Sequence, residues 1–194
     1  MRKKLVRGLL VVPLVVLLSG CLFMLQGFVV LDGNLARGEK TKARFTLRPA
    51  TTENDRIYQF VVVGVPDSGN LKIGKATWGA NRKFGGPKPM PVSGPLPGAM
   101  STSGDCDGVG GFEFSSVTGT KWKAFLLRVR TKGKVNQKAV VDVVVKAAQN
   151  ATRGISNQVV GVTGSWDDTN DDGLVNAPDT FVCAGVSTSS VYVR

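Results

Sequence analysis

The sequence predicts an all-β protein, an antiparallel β-sandwich with one long loop rich in proline and glycine. Three observations lead to this fold class. Short segments that alternate between apolar and polar residues recur along the chain, which is typical of strands with one buried face. Turn residues separate these segments, and glycine occurs 24 times. No long stretch repeats its apolar residues with the period of a helix.

Alternation is clearest in two segments, residues 41–48 and 138–147. In each, every second residue is apolar and the residues between are mostly charged, so one face is expected to be buried. The side chains expected to face the core are Ala43, Phe45, Leu47, Ala139, Val141, Val143 and Val145. Residues 57–65 are apolar almost throughout, which predicts a central strand covered on both faces.

The remaining expected strands are shorter or less regular. In chain order they are residues 26–32, 71–78, 112–114, 122–131, 158–163, 180–184 and 187–193. Between them, residues 85–111 carry five prolines among many glycines and serines. Because proline cannot donate to a sheet ladder, this stretch is expected to be a long loop within the domain. The resulting pattern of short strands resembles the immunoglobulin-like and cohesin-like sandwiches of bacterial surfaces.

The N-terminus has the parts of a secretory signal peptide. A basic head precedes the apolar residues 9–18, and small residues then lead to a cysteine in Leu18-Ser19-Gly20-Cys21. This tetrapeptide resembles the lipobox of bacterial lipoproteins. The resemblance implies cleavage before Cys21, acylation of Cys21 and stable membrane anchoring by more than one acyl chain.

A membrane-spanning signal anchor is the alternative interpretation. No charge occurs in residues 8–31, a run of 24, and about 20 apolar residues suffice to span a bilayer. If Cys21 is lipidated, the next residue bears on location, because in Gram-negative lipoproteins an Asp there marks retention in the inner membrane. This chain has Leu22, so the resemblance implies the outer membrane in a Gram-negative host and the outer face of the cell membrane otherwise.

Cleavage divides the chain into a signal peptide (1–20), a short lipidated tether (21–25) and one sandwich domain (26–194). The mature 174 residues carry 21 Lys and Arg against 14 Asp and Glu, a net charge of +7. Such a surface favours anionic neighbours such as lipid headgroups or acidic glycans, and the expected partner is an envelope protein or an anionic envelope polymer. Nucleic acid is not an expected partner, because the basic residues are scattered and no nucleic-acid-binding motif occurs.

Lipidation of Cys21 would leave Cys106 and Cys183 as an even pair in an exported domain. Disulfides form and persist outside the cytoplasm, so these two cysteines are expected to be bonded. The bridge would close a loop of 77 residues. Two free thiols are the alternative.

Residues 168–179 have the spacing of a calcium-binding loop. Such loops use oxygen ligands at positions 1, 3, 5, 7, 9 and 12, with a glycine at position 6. Gly173 occupies the sixth position, and the expected ligands are Asp168, Asn170, Asp172, the Leu174 carbonyl, Asn176 and Asp179. The loop is similar to that of dockerins, but it occurs once and leads into an expected strand, so the ligand set alone is carried over. A solvated turn without metal is the alternative.

Chemistry for catalysis is not apparent in the sequence. The chain has no histidine, which excludes Ser-His-Asp and Cys-His pairs and histidine-based metal sites. We therefore expect no enzyme, but an envelope lipoprotein that acts as a structural or protein-interaction module. Binding of a carbohydrate or envelope polymer is the second hypothesis, with Trp78 and Trp166 as the aromatic side chains expected to stack on sugar rings.

Overall fold

The computed structural model describes residues 23–49, 56–79, 89–92, 120–130, 138–167 and 180–194. These residues form ten strands, and their bounds are β1 Phe23–Val30, β2 Asn34–Leu35, β3 Lys40–Pro49, β4 Arg56–Pro66, β5 Leu71–Trp78, β6 Met90–Val92, β7 Thr120–Arg130, β8 Ala139–Ala147, β9 Ile155–Asp167 and β10 Thr180–Val193. Within these ranges no helix is long and apolar enough to cross a bilayer.

The strands build two sheets. A four-stranded sheet has the order β1-β3-β8-β5, and a six-stranded sheet has the order β2-β10-β9-β4-β7-β6. Every pairing is antiparallel except that of β2 with β10, which is parallel. The two sheets bury their facing sides against each other, as in a sandwich. The predicted all-β sandwich is confirmed.

The core comes from the alternating strands. All seven side chains expected inside from β3 and β8 are fully buried, and they meet Val61, Val63, Phe125 and Leu127 of the opposite sheet. The alternation of apolar and polar residues therefore predicted the buried face of β3 and β8 correctly.

Strand β4 lies inside the six-stranded sheet, between β9 and β7. Val61 and Val63 belong to the main core, whereas Phe60 and Val62, which alternate with them, are also buried but lie outside that cluster. Both faces of β4 are therefore covered, and the prediction of a central strand is confirmed.

Strand β1 holds the two sheets together at one edge. It pairs with β3, and its inward side chains reach across to the other sheet. Phe28 occupies the space above Gly161 of β9, and Leu25 occupies the space above Gly185 of β10. Glycine at these two positions leaves room for a side chain of the facing sheet.

Several strand bounds differ from the predictions, and β9 extends three residues before and four residues after the expected 158–163. The first strand begins at Phe23, not at residue 26, so residues 23–25 belong to the sheet and not to a tether. The two expected C-terminal strands are one strand, β10, which continues through a bulge between Cys183 and Gly185. Strand β2 was missed because it has only two residues and directly follows a turn.

The expected long loop, residues 85–111, is interrupted by β6. This strand pairs with β7 at the edge of the six-stranded sheet, where Pro91 lies opposite Phe125. An edge position tolerates a proline because no further strand needs its missing N–H. The rest of the expected loop, apart from Pro89, and the expected strand 112–114 lie outside the described residues.

The position of β1 also bears on the membrane-spanning alternative. Residues 23–30 are paired with β3, and Phe28 and Val30 are buried in the sandwich. The uncharged run that remains before the sheet, residues 8–22, has 15 residues, fewer than the about 20 needed to span a bilayer. A single helix over all of residues 8–31 is therefore not compatible with β1, whereas the choice between a spanning anchor and cleavage before Cys21 stays a prediction.

Candidate binding surface on the four-stranded sheet

The outer side of the four-stranded sheet, called here the outer face, carries the side chains that alternate with the core. Its main positions are Val29 on β1; Lys40, Lys42, Arg44, Thr46 and Arg48 on β3; Val140, Asp142, Val144 and Lys146 on β8; and Lys72 and Thr77 on β5. Six of these side chains are basic and only Asp142 is acidic. The face is therefore strongly cationic.

Asp142 is the centre of an ion-pair cluster. Arg44 donates from Nε to Oδ1 at 2.7 Å and from Nη2 to Oδ2 at 3.0 Å, and Lys42 donates to Oδ2 at 3.3 Å. The Asp142 residue is only 1% exposed although it points outward, because the longer side chains cover it. Arg44 is thus held in a fixed bidentate geometry, which reduces the entropy it loses on binding a partner.

The electrostatics of the cluster keep Asp142 ionised. Burial by itself raises the pKa of the Asp142 carboxyl, but the hydrogen bonds and charges of Arg44 and Lys42 outweigh it, so the pKa is lowered from the ordinary aspartate value. The same pairing raises the pKa of Arg44. The cluster therefore stays charged and fixed at neutral pH.

Two large apolar side chains lie beside the cluster. Val29 is the register partner of Arg44, and the Leu31 N–H donates to the Lys42 carbonyl at 3.0 Å. Each of these apolar side chains is 48% exposed. Apolar area and arginine are both enriched in the buried core of protein–protein interfaces.

On the β5 side of the outer face, two glycines leave positions without side chains. A Cβ atom at Gly74 would lie 3.0 Å from Cβ of Val144, and a Cβ atom at Gly79 would overlap the side chain of Val140. With no side chains at these two positions, Val140 and Val144 are left half-buried beside a low edge. The outer face is therefore open on this side to a flat partner.

A row of three lysines crosses the outer face at one end. Lys146 of β8 is the register partner of both Lys40 of β3 and Lys72 of β5. Within the described part of the chain, none of the three makes an ion pair. This lysine row leaves three uncompensated charges side by side.

A small cleft lies next to this end of the face. Its volume is about 280 Å³, and it is lined by apolar residues of β4 and β5 and by Lys72, Lys121, Trp122 and Lys123. Lys121 pairs with Asp67, and the Nζ atom of Lys123 lies 5.5 Å from the centre of the Phe125 ring. The cleft is smaller than most ligand pockets, so it ranks below the outer face as a binding site.

The sequence-predicted sites have different outcomes. Trp78 is half-buried and packs against the core, a placement that does not favour stacking on a sugar. For Trp166 and Cys183 the structure describes the backbone, which places them opposite Phe181 and Gly164 in the β9–β10 pair. Cys21 and Cys106 lie outside the described residues, so the lipid anchor, the disulfide and both sugar platforms stay predictions.

The expected calcium ligands, Asp168, Asn170, Asp172, Leu174, Asn176 and Asp179, also lie outside the described residues. The structure does fix where their segment is attached. Strand β9 ends at Asp167 and β10 begins at Thr180, and these two residues are register partners. The whole 12-residue motif is therefore the connection of one hairpin. In the described ranges, no three Cys, Asp or Glu side chains come together as a metal site.

Sequence reasoning missed the Asp142 cluster and the lysine row. The alternation in residues 138–147 predicts an exposed side of β8 that carries Asp142 together with Lys138 and Lys146. What it lacked was the register, because only the pairing of β3 with β8 shows that Arg44 stands opposite Asp142 and Lys40 opposite Lys146. A single acidic residue within a basic set of outward positions was the available signal.

Comparisons with known proteins concern the fold. No protein-family model matches the chain, and no curated protein matches it. Among solved structures, the sixth cohesin of scaffoldin B from Acetivibrio cellulolyticus, solved in complex with a Cel5 dockerin, is similar at 12% identity over 87% of this chain and 98% of the cohesin, with a TM-score of 0.44.

Two further structures have comparable similarity. The cohesin module of a family 33 glycoside hydrolase from Clostridium perfringens is 8% identical over 90% of this chain and 98% of its own, with a TM-score of 0.49. AvmM, described as catalysing macrocyclization in alchivemycin A biosynthesis, is 10% identical over 90% of this chain and 89% of its own, with a TM-score of 0.47. The similar structures thus include a cohesin bound to a dockerin and a protein described as a catalyst, and none of them assigns a ligand to this chain.

Proposed function

We propose that this protein is a non-catalytic binding module of the bacterial cell envelope, which docks on a protein partner through the outer face of its four-stranded sheet. The observation that carries the proposal is the juxtaposition of Val29 and Leu31 with Arg44. Two apolar side chains, each 48% exposed, stand beside an arginine that a buried carboxylate holds in place. Apolar groups supply contact area, and a pre-organised arginine supplies a directional anchor.

The cellular location in this proposal comes from the sequence. The lipobox-like Leu18-Ser19-Gly20-Cys21 supports export and lipid anchoring, and the start of β1 only two residues after Cys21 would keep the domain close to the bilayer. Replacing Cys21 by serine should release the protein from the membrane fraction or leave its signal peptide uncleaved. A protein that stays in the membrane fraction with a cleaved N-terminus after this substitution would contradict the lipid anchor.

The docking surface is tested by partner capture from the native membranes. The double variant Val29→Ser with Leu31→Ser removes apolar area at exposed positions, so it should change stability by no more than about 0.5 kcal/mol per site. Crosslinking followed by mass spectrometry should recover one protein with the wild type and recover it at least about tenfold less with the variant.

Ile155→Ser with Tyr192→Ser is the matched control. These two side chains are 43% exposed and lie on the six-stranded sheet, so the control should capture the partner as the wild type does. Equal capture by the Val29/Leu31 variant would reject the outer face as the docking surface. Capture of a glycan in place of a protein would favour the polymer-binding hypothesis.

A further inference from the structure

The lysine row lowers the stability of the sheet, and no contact within the described part of the fold offsets this. Lys40, Lys146 and Lys72 stand directly opposite one another on three neighbouring strands, and like charges in that arrangement destabilise a sheet. The spacing between neighbouring strands, about 4.8 Å, puts the outer two lysines about 10 Å apart. Nothing acidic on the described part of the outer face lies with them, because Asp142 is already bound by Arg44 and Lys42.

Protection of a sheet edge does not explain the row. Lysines on edge strands prevent other strands from pairing there, and β5 is an edge strand, so Lys72 has that explanation. Lys40 has it too, because the register of β1 with β3 ends at Ala43, before it reaches Lys40. Lys146 does not, because it is paired on both sides, with Lys40 and with Lys72. The central charge of the row therefore points to a ligand.

The position of the row helps to choose among anionic ligands. Strand β3 runs ten residues from Lys40 to Pro49, and Pro49 pairs with Phe23 at the start of β1. At about 3.3 Å per residue, the row is about 30 Å from the end of the sandwich that follows Cys21. Headgroups of the anchoring membrane would lie at that other end.

The neighbours of the row favour a protein over a polymer. Lys42 follows Lys40 on the same side of β3, and Leu31 pairs with Lys42, so the cationic row continues into the apolar part of the outer face. A polyphosphate or acidic glycan has no apolar groups to cover Leu31 and Val29. An acidic segment at the rim of a protein interface would match both parts.

We propose that the lysine row receives an acidic segment of the protein partner, rich in Asp or Glu, while the adjoining apolar part of the outer face holds the body of that partner. This inference rests on the proposed function and names the chemistry of its partner. The carboxylates would supply the charge that the three lysines lack.

The test uses the full chain in nanodiscs of neutral lipid, with a fluorescent peptide of ten glutamates as the probe. Fluorescence anisotropy at 50 mM and 150 mM salt should show binding that weakens with salt. Changing Lys40, Lys72 and Lys146 together to glutamine should weaken binding about tenfold, as expected for the loss of three exposed ion pairs.

The control removes charge at the other end of the same two strands. Arg48 and Lys138 are exposed and lie at the opposite end of β3 and β8 from the row, and their joint change to glutamine should leave probe binding within about twofold of wild type, because charges beyond a Debye length are screened. Equal loss in the triple variant and in this control, or no binding at all, would overturn the proposal. So would tighter binding of inorganic polyphosphate of equal charge, or of nanodiscs that contain anionic phosphatidylglycerol, because the row would then serve phosphate.

A single substitution separates the lysine row from the docking surface. Lys146→Glu puts a negative charge opposite both Lys40 and Lys72, so it should raise the unfolding midpoint while it abolishes probe binding. A lower midpoint would show that the three lysines do not repel one another. Because the peptide probe replaces the partner, the binding result for Lys146→Glu holds even if no protein is captured through Val29 and Leu31. If the Lys146→Glu variant still captures the partner protein, the lysine row is rejected as a contact site but the docking surface is not.

Discussion

Two buried side-chain amides in this protein are in opposite situations. Asn157 accepts from Asn70 at 3.1 Å and donates to the carbonyls of Ile155 and Val191, so this contact joins β9 to the turn that precedes β5. Gln59 is fully buried on the inner side of β4, and within the described part of the chain neither its Nε2 nor its Oε1 atom has a hydrogen-bond partner. A buried amide without partners costs about 1–3 kcal/mol.

Gln59→Met should therefore stabilise the protein, by about 1–3 kcal/mol, since methionine has a similar length and no polar group to desolvate. Urea unfolding measures the change. Asn157→Leu is the comparison: it leaves Asn70 unsatisfied and should lower stability by a similar amount. A lower midpoint for Gln59→Met would mean that the amide finds a partner in solution.

Asp142 predicts a pH dependence. Its pKa is lower in the folded chain than the ordinary value of 3.8, so the folded state binds its proton less readily than the unfolded state does. The stabilisation is then fully present above the unfolded pKa and is lost as the pH falls through the folded pKa.

Asp142→Asn should cost about 1–2 kcal/mol at pH 7, near the low end for buried charged groups because Arg44 and Lys42 are partly exposed. The difference from wild type should shrink below about pH 4. Asp67→Asn, which breaks an exposed pair with Lys121, should change stability by less than about 0.5 kcal/mol at any pH. A difference between Asp142→Asn and wild type that stays constant from pH 7 to pH 2 would argue against this assignment.

At the scale of the strand, β1 and β9 are in close contact. A Cβ atom on Gly161 would overlap the ring of Phe28, and both residues are buried. Gly161→Ala should therefore destabilise the protein by about 1–3 kcal/mol, as overpacking does. Thermal unfolding measures the loss.

Gly27→Ala is the matched control on β1, where a Cβ atom would meet nothing within 4 Å, and it should have little effect. Phe28→Leu in the Gly161→Ala background should recover part of the loss, because a smaller side chain relieves the overlap. Strict additivity of the two substitutions would mean that β1 does not press on β9 there.

The sequence was sufficient to predict the buried face of a strand whose other face is exposed to solvent. In β3 and β8 every residue that the alternation assigned to the core is buried, and the continuous apolar run identified β4 as central. It was insufficient where pairing decides the outcome. Strand β2 has two residues and exists because β10 lies beside it, and the lysine row exists because three separate strands come into one register, which no local pattern encodes.

For the whole molecule, calcium binding at residues 168–179 predicts a stability that depends on the metal. An ion there would brace the connection between β9 and β10, whose pairing runs from Thr180 opposite Asp167 to Val193 opposite Ile155. Calcium at about 100 times its dissociation constant should stabilise the folded chain by about 2.7 kcal/mol.

A chelator should accordingly lower the unfolding midpoint of the wild type, and added calcium should restore it. The variant Asp168→Asn with Asp172→Asn should respond to neither, since the two carboxylates would supply most of the charge for the ion. An unchanged wild-type midpoint in chelator would reject the loop as a stabilising metal site.

The direction of β1 has a mechanical consequence. The strand starts next to the predicted anchor at Cys21 and runs toward the end of the sheet that carries the lysine row. A partner that pulls on the row against the membrane would stretch the molecule along its strands. The hydrogen bonds between β1 and β3 would then be sheared together instead of opened one after another, so the domain should resist tension in the direction in which a partner and an anchor would apply it.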